Sequence, residues 1–382
     1  MLRRRVSQRG GRAIAAGLVI SSVVAAITLG AAPAASQGGG WASLFPGAED
    51  LGPPDWVKPG SRITFYEASA SVKQTSGEDA RSASGEGFFE VDIVAFDGND
   101  VLGSVTAYQW DRDSDVKTYA PYTGARSPGA AVDTVWLHPD LLTRMLEGAG
   151  PAGFDAVRTP YPLNGTTYDA IRVSTDTAAT TFDSATGLVL VSTIGTATPG
   201  NGAPNSEGSY QEFRASRVRT VPGIGAAVPA WLKAPTTLRY EGTWYSDAFR
   251  VESPAQMELR FDRVGRDWAS VAVHEVRWTT GVPFPEDFSA TSGGAGPYWY
   301  DPAALGAMRA GDELDADPVT GARTSVVALE QGPRGPQVRI ETAMTGSRLE
   351  LTFDQATGML LVYDLTQQAL RERMRVELQE AP

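Results

Sequence analysis

The chain has 382 residues, 42% of them hydrophobic and 20% charged, which suits two or three packed domains and excludes an intrinsically disordered protein. Its formal charge of −12 argues against nucleic acid as a partner, because phosphate backbones repel an acidic protein. Cysteine is absent, so disulfides, thiolate metal sites, a cysteine nucleophile and a lipid-modified cysteine are excluded, and stability must come from packing.

At the amino terminus Arg3, Arg4, Arg5, Arg9 and Arg12 form a basic head. An apolar run follows from Ala13 to Ala32, and Ala32-Pro33-Ala34 supplies small residues at its end. This is the pattern of a cleaved export signal over residues 1–34, and it predicts an extracytoplasmic protein, secreted or held in the cell envelope. The uncleaved alternative is a membrane anchor, since the run approaches the ~20 apolar residues that cross a bilayer; otherwise membrane contact is expected to be transient. Val6-Ser7-Gln8 stands where a twin-arginine signal carries an aromatic residue and leucine, so Arg4-Arg5 does not decide the export route. Cleavage would remove five arginines and no acid, taking the charge from −12 to −17. Residues 35–54 read as a flexible leader.

A first domain is expected over residues 55–220. Ile63-Thr64-Phe65-Tyr66 and Phe89-Glu90-Val91-Asp92-Ile93-Val94 alternate as strands do, and Asp97-Gly98 is a hairpin turn leading into Val101 to Ala107. Asp111-Arg112-Asp113-Ser114-Asp115 begins like a calcium loop, but Val116 stands where glycine must turn it and Tyr122 where the bidentate glutamate belongs, so it reads as a solvated loop. Gly124 to Gly129 reads as another loop. A helix is predicted from Pro139 to Glu147, with proline in its first turn and His138 at the capping position. In Thr180-Thr-Phe-Asp-Ser-Ala-Thr-Gly-Leu-Val-Leu-Val191 the aspartate opens a turn and Gly187 supplies the positive φ that returns the chain into an apolar strand.

Residues 221–229, rich in proline and glycine, suit a linker to a second domain over residues 230–382. There Leu351-Thr-Phe-Asp-Gln-Ala-Thr-Gly-Met-Leu-Leu-Val362 repeats the earlier hairpin almost unchanged. Trp56-Val57-Lys58 matches Trp231-Leu232-Lys233, Val135-Trp136-Leu137-His138-Pro139 matches Tyr298-Trp299-Tyr300-Asp301-Pro302, and Ile171-Arg172-Val173 matches Val338-Arg339-Ile340. All four pairs keep their order while their offsets drift, as loop insertions would make them, so the chain carries one fold twice. A second helix is predicted from Pro302 to Arg309. The fold class is therefore α+β, mostly β: two tandem domains, each a curved antiparallel sheet of roughly six to eight strands with one inserted helix. Such a sheet can close around its own side chains or around an apolar ligand, with the helix as a lid.

Phe182-Asp183-Ser184-Ala185-Thr186-Gly187-Leu188, its copy Phe353 to Met359 and the export signal together resemble the exported lipoprotein-carrier superfamily, the LolA- and LppX-like half-barrels. The resemblance implies a half-barrel with a helical lid over an apolar cavity, and lipid as the cargo. No family site residue has a counterpart to carry across, the lipidated cysteine of LppX-like proteins is absent, and the tandem copy departs from a simple carrier.

Catalytic chemistry finds little support. There are two histidines: His138 is explained as a cap, and His274 falls in the strand pattern Trp268 to Trp278. The chain contains no HExxH, no GxSxG and no GxxxxGK[ST], and Thr291 to Gly296 reads as a loop. Two acids at the right separation would suffice for glycoside hydrolysis, but the sequence singles out no pair. No cofactor, metal or catalytic residue is assigned. Trp136 and Trp299 recur just before each helix, where an indole packs in the core or lines a cavity, and Tyr298 and Tyr300 thicken the second cluster; these four are the candidate ligand-pocket residues. The reading that follows is an exported non-enzymatic binding protein for a lipid, another apolar molecule or an envelope protein. The alternatives are a scaffold module without a cavity and a secreted carboxylate-dependent glycosidase.

Overall fold

A computed structural model describes residues 41–74, 81–112, 116–132, 135–198, 206–221, 226–247, 250–276, 288–290, 298–368 and 370–379. The export signal, residues 35–40 of the leader, Asp113 to Asp115 of the acidic loop, residues 222–225 of the linker and the Thr291–Gly296 loop lie outside these.

The first domain contains β1 (Ser61–Gln74), β2 (Arg81–Asp97), β3 (Asp100–Asp111), β4 (Val116–Pro128), β5 (Ala131–Val132), β6 (Trp136–Leu137), helix α1 (Pro139–Leu146), β7 (Asp155–Leu163), β8 (Thr166–Ser174), β9 (Ala178–Asp183), β10 (Val189–Thr198) and β11 (Ser206–Thr220). The second contains β12 (Thr236–Ser246), β13 (Val251–Val264), β14 (Ala269–Val276), β15 (Phe288–Ala290), helix α2 (Pro302–Ala307), β16 (Glu313–Ala316), β17 (Arg323–Gly332), β18 (Gly335–Met344), β19 (Ser347–Asp354), β20 (Leu360–Gln367) and β21 (Glu372–Leu378). The first sheet has nine strands in the order β4-β3-β2-β1-β11-β10-β9-β8-β7, and the second has ten in the order β15-β14-β13-β12-β21-β20-β19-β18-β17-β16. In each, the first strand pairs with the last and the helical connection joins the two outer strands. Every pairing is antiparallel, and neither sheet closes into a barrel.

The topology is thus the same twice, as the repeat requires, with more strands than the sequence pattern suggests. The strands the pattern misses include β7, an outer strand that is mostly exposed and interrupted by Pro160 and Pro162, and the polar β11. Neither presents the apolar alternation that reveals a half-buried strand. The stretch Gly124 to Gly129, read as a loop, is instead largely strand, since β4 runs to Pro128.

One apolar core in the first domain draws on Ile63 and Phe65 of β1, Phe89 and Val91 of β2, Val105 of β3, Ile171 and Val173 of β8, Phe182 of β9, Phe213 of β11 and Leu141 and Leu142 of α1. An eight-residue helix is about 12 Å long, whereas nine strands laid flat at about 4.8 Å spacing would spread much wider. A single core fed from both flanks therefore requires the sheet to wrap around the helix. The leader contributes as well: Trp41–Leu44 and Ala48–Asp50 form 3₁₀ turns, and Phe45 and Ala48 are buried in this core, so this part of residues 35–54 is packed chain rather than a flexible arm.

The repeated sequence elements converge on one spot in each domain. The Asp183 turn closes through Gly187 N–H donating to the Asp183 carbonyl at 2.8 Å, and Gly358 donates to Asp354 at the same distance. The turn is then pinned beneath the segment that enters the helix: Leu137 N–H donates to the Gly187 carbonyl at 3.0 Å, and Tyr300 N–H to that of Gly358 at 2.8 Å. Trp136 bridges Leu188, and Trp299 bridges Met359. From the start of each domain a further indole reaches across, Trp56 to the Thr186 carbonyl at 2.7 Å and Trp231 to that of Thr357 at 2.9 Å. His138 and Asp301 cap the helices, accepting from the amides of Asp140 and Ala303. The doubled wording of the sequence encodes this seat for the helix.

Gly187 has φ +74°, and a Cβ there would lie 1.9 Å from the Leu137 carbonyl oxygen; at Gly358 the φ is +72° and the Tyr300 oxygen would be 1.8 Å away. Gly153 shares the positive φ but has open space around it. Gly187→Ala and Gly358→Ala are each expected to lose on the order of 1–3 kcal/mol from the backbone conformation plus a further steric cost, and Gly153→Ala only the first. Urea denaturation of the three variants measures the difference.

Candidate functional site

The four aromatic candidates all sit at the helix seats. Trp136 and Trp299 are fully buried, Tyr298 is buried and Tyr300 partly so. Trp136 meets Trp56 edge-on at 5.9 Å between ring centres and donates its Nε1–H to the Gly129 carbonyl at 2.9 Å. Trp299 meets Phe261 at 6.1 Å, and its Nε1 finds no acceptor among the described residues. Tyr300 packs on Phe353 at 5.5 Å, and burial pushes its phenol up to about 12. The seats bring Tyr298, Trp299 and Tyr300 together and hold Trp136 in the other domain. His274 lies on β14, exposed and paired with Glu258 in register.

A different group of residues emerges where the domains meet. Ile63, Phe65, Phe89, Val91 and Ile93 point into the first core, so their alternates Arg62, Thr64, Glu90 and Asp92 point out of it. An outer face would ordinarily be wet, yet Thr64 is 0% exposed, Glu90 1%, Asp92 1% and Arg62 6%, because the second domain covers them. Register places Thr64, Glu90 and Thr106 in one row across β1, β2 and β3, and Arg62, Asp92 and Ser104 in the next.

Three zones form this junction. At one end Trp268 of the second domain packs with Val94, Ala95 and Leu102 of the first, its ring 5.4 Å from the Arg263 guanidinium, which itself bonds Asp97 at 2.5 Å. In the middle Tyr119 of β4 belongs to the second domain's apolar core, Tyr108 stacks near it at 5.3 Å, and Gln367 Nε2 donates to the Tyr119 carbonyl at 3.3 Å. At the other end Arg62 grips Asp92 with two bonds of 2.5 and 2.7 Å and donates to Asp315 at 3.2 Å. Arg219 of β11 donates to Asp315 at 2.6 and 2.8 Å and to Asp317 at 2.8 Å.

Electrostatics at this end follow from crowding. Four carboxyl groups, Glu90, Asp92, Asp315 and Asp317, meet the two guanidinium groups of Arg62 and Arg219. Burial disfavours charge on Arg62, but Asp92 and then Glu90 hold its pKa well above the ordinary guanidinium value. Burial likewise opposes ionisation of Asp317, and the amides of Thr320 and Val319 together with Arg219 reverse this and keep it below the usual carboxylate range. Glu90 is the exception. Burial pushes it up to about 7 against the pull of Arg62, and the negative charges of Asp92 and Asp317 add to the rise. Its Oε2 lies 3.4 Å from Arg62 Nη1 and accepts from the Tyr108 hydroxyl at 3.1 Å, while its Oε1 has no hydrogen-bond partner among the described residues. Among the described residues no group of three or more carboxylates or histidines is arranged to hold a metal ion. The cluster acts as an electrostatic clasp between domains.

No protein-family model and no curated protein matches the chain. Among solved structures, a DUF1329 family protein from Desulfovibrio piger is similar over 42% of this chain and 86% of its own length, at 10% identity and a TM-score of 0.14. A protein of unknown function from the DUF3598 family of Nostoc punctiforme is similar over 89% of this chain and 99% of its own, also at 10% identity and a TM-score of 0.14. Scores of that size carry no functional inference.

Replacing Arg62 by methionine leaves Asp92 buried without its cation, and is expected to cost about 3–5 kcal/mol in urea denaturation. Arg158→Met, which breaks the exposed Arg158–Asp169 pair, is expected to cost less than about 1 kcal/mol.

Proposed function

We propose that the protein is an exported, non-enzymatic interaction module of two domains that binds another component of the cell envelope through its surfaces, rather than a vessel for lipid. The supporting observation is the packing beneath each helix. Trp136, Leu137, Leu141 and Leu142 in the first domain, and Trp299, Leu305 and Leu360 in the second, have 0% of their surface accessible. A void wide enough for an acyl chain would leave the side chains around it accessible, and these are enclosed by one another. Export rests on the sequence pattern of residues 1–34. Among the described residues no helix is long and apolar enough to cross a membrane.

The lipid-carrier reading is the second, and it is favoured by the helical connection that spans each open sheet together with the resemblance to half-barrel carriers. It demands that α1 or α2 lift away from a core that is filled at rest. Native mass spectrometry of the mature protein purified from its own envelope separates the two readings. The expected result is a protein mass without lipid adducts, together with tryptophan emission unchanged by phosphatidylglycerol vesicles. Stoichiometric lipid retained through purification would reverse the ranking.

A further inference from the structure

The junction shows a second pattern beside its ion pairs. In the second domain Ser246 of β12, Glu372 of β21, Gln367 of β20 and Ser347 of β19 stand in one register row across four adjacent strands. Their inward neighbours on the same face, Trp244, Met374, Leu365 and Leu349, belong to the second core, so this row forms its polar rim. Among the described residues Ser246 Oγ, Ser347 Oγ and Gln367 Oε1 are buried there without a hydrogen-bond partner, as are Thr64 Oγ1, Glu90 Oε1 and Ser104 Oγ of the first domain. The first domain covers the rim directly: Gln367 donates to the Tyr119 carbonyl, and the Cβ position of Gly346 lies 3.5 Å from Lys117 Cβ.

We propose that the junction is a proton-gated latch: the two domains stay docked while Glu90 is neutral, and its ionisation releases the second domain's polar rim from beneath β3 and β4. The physical reason is competition at one guanidinium. Arg62 is committed to Asp92 and to Asp315, one of the residues that tie the second domain to the first. An ionised Glu90 draws Arg62 Nη1 away from Asp315, and it places another negative charge beside Asp92 and Asp317 in a region that water does not reach. Of the other ionisable neighbours, Arg219 is held by Asp315 and Asp317, and Tyr108 donates its hydroxyl to Glu90. Parting the domains hydrates Glu90, so opening and proton release are linked.

The sign follows from the two states. Glu90 titrates at about 7 when docked, against an ordinary value of 4.5 that hydration restores. Proton binding therefore holds the junction closed fully below about 4.5, and that hold is lost as pH rises to about 7. Within this window the open-to-docked ratio is expected to rise by up to about tenfold per pH unit, and to level off above it.

Because the chain has no cysteine, Asp176→Cys and Gln256→Cys place one spin label on each domain without background. Distance distributions of this doubly labelled full chain, measured from pH 5 to 8, should show a longer-distance population that grows to about pH 7 and then stays constant. Adding Glu90→Gln should hold the short distance across the range. The latch is overturned if the native junction gives one unchanged distance at every pH, or if the glutamine variant follows the same titration. Should that variant fail to fold, a carbon-13 titration of the native glutamate side chains decides. A carboxyl titrating near 7 that disappears when the junction is broken by Trp268→Ala supports the latch, and the absence of any titration above pH 5 overturns it.

Discussion

A peptide hydrogen bond laid against a glycine sets the joint between turn and helix in each domain. The Gly187 carbonyl receives Leu137 N–H, the Gly358 carbonyl receives Tyr300 N–H, and in both places the absence of a Cβ lets the turn lie flat against the entering strand. That contact fixes where the helix begins, because His138 and Asp301 follow at once and cap it. The helix in turn fixes which side chains the sheet must enclose. Trp136 and Trp299 are pinned on the strand side of the same joint, so the largest side chain in each core is set by the turn beneath it. Mutual dependence of this kind explains why several short phrases recur together, while the strands between them diverge freely.

The two copies are alike in topology and unlike in use. The second domain's core incorporates Tyr119 from the first, whereas the first domain's core takes Phe45 and Ala48 from its own leader. The first sheet therefore has two buried faces, one apolar toward its helix and one polar toward its sister domain. Apolar packing tolerates a small error in position, but the polar face is held by directional bonds from Arg62 and Arg219, which specify one docking geometry. Arg62 and Arg219 are largely shielded from solvent, whereas arginines such as Arg158 and Arg239 pair on the exposed outer surface, where ion pairs contribute little.

Much of this was legible in the sequence. The duplication, the Asp–Gly turns, the proline-led helices and both caps could be read from residue types whose conformational demands are local. Strand number was less so: β7 carries Pro160 and Pro162 and β11 is polar, and both take their places through pairing with neighbours rather than through their own pattern. The leader's Phe45 looked like part of a free arm because nothing local announces the core that receives it. The junction was invisible for a sharper reason. Phe89-Glu90-Val91-Asp92 is the alternation of a strand with one wet face, and only the second domain, more than two hundred residues away at Asp315 and Asp317, turns that face dry. A single chain read without its tertiary contacts carries no mark that distinguishes such a glutamate from a solvated one.

The outer strand β7 leaves one further mark on how the molecule lives among its own kind. An unpaired edge on a sheet this wide is an invitation for a neighbouring molecule to dock its own strand there and so seed a growing fibril. Pro160 and Pro162 offer no amide hydrogen to such a newcomer, which makes this border a poor template for a growing fibril.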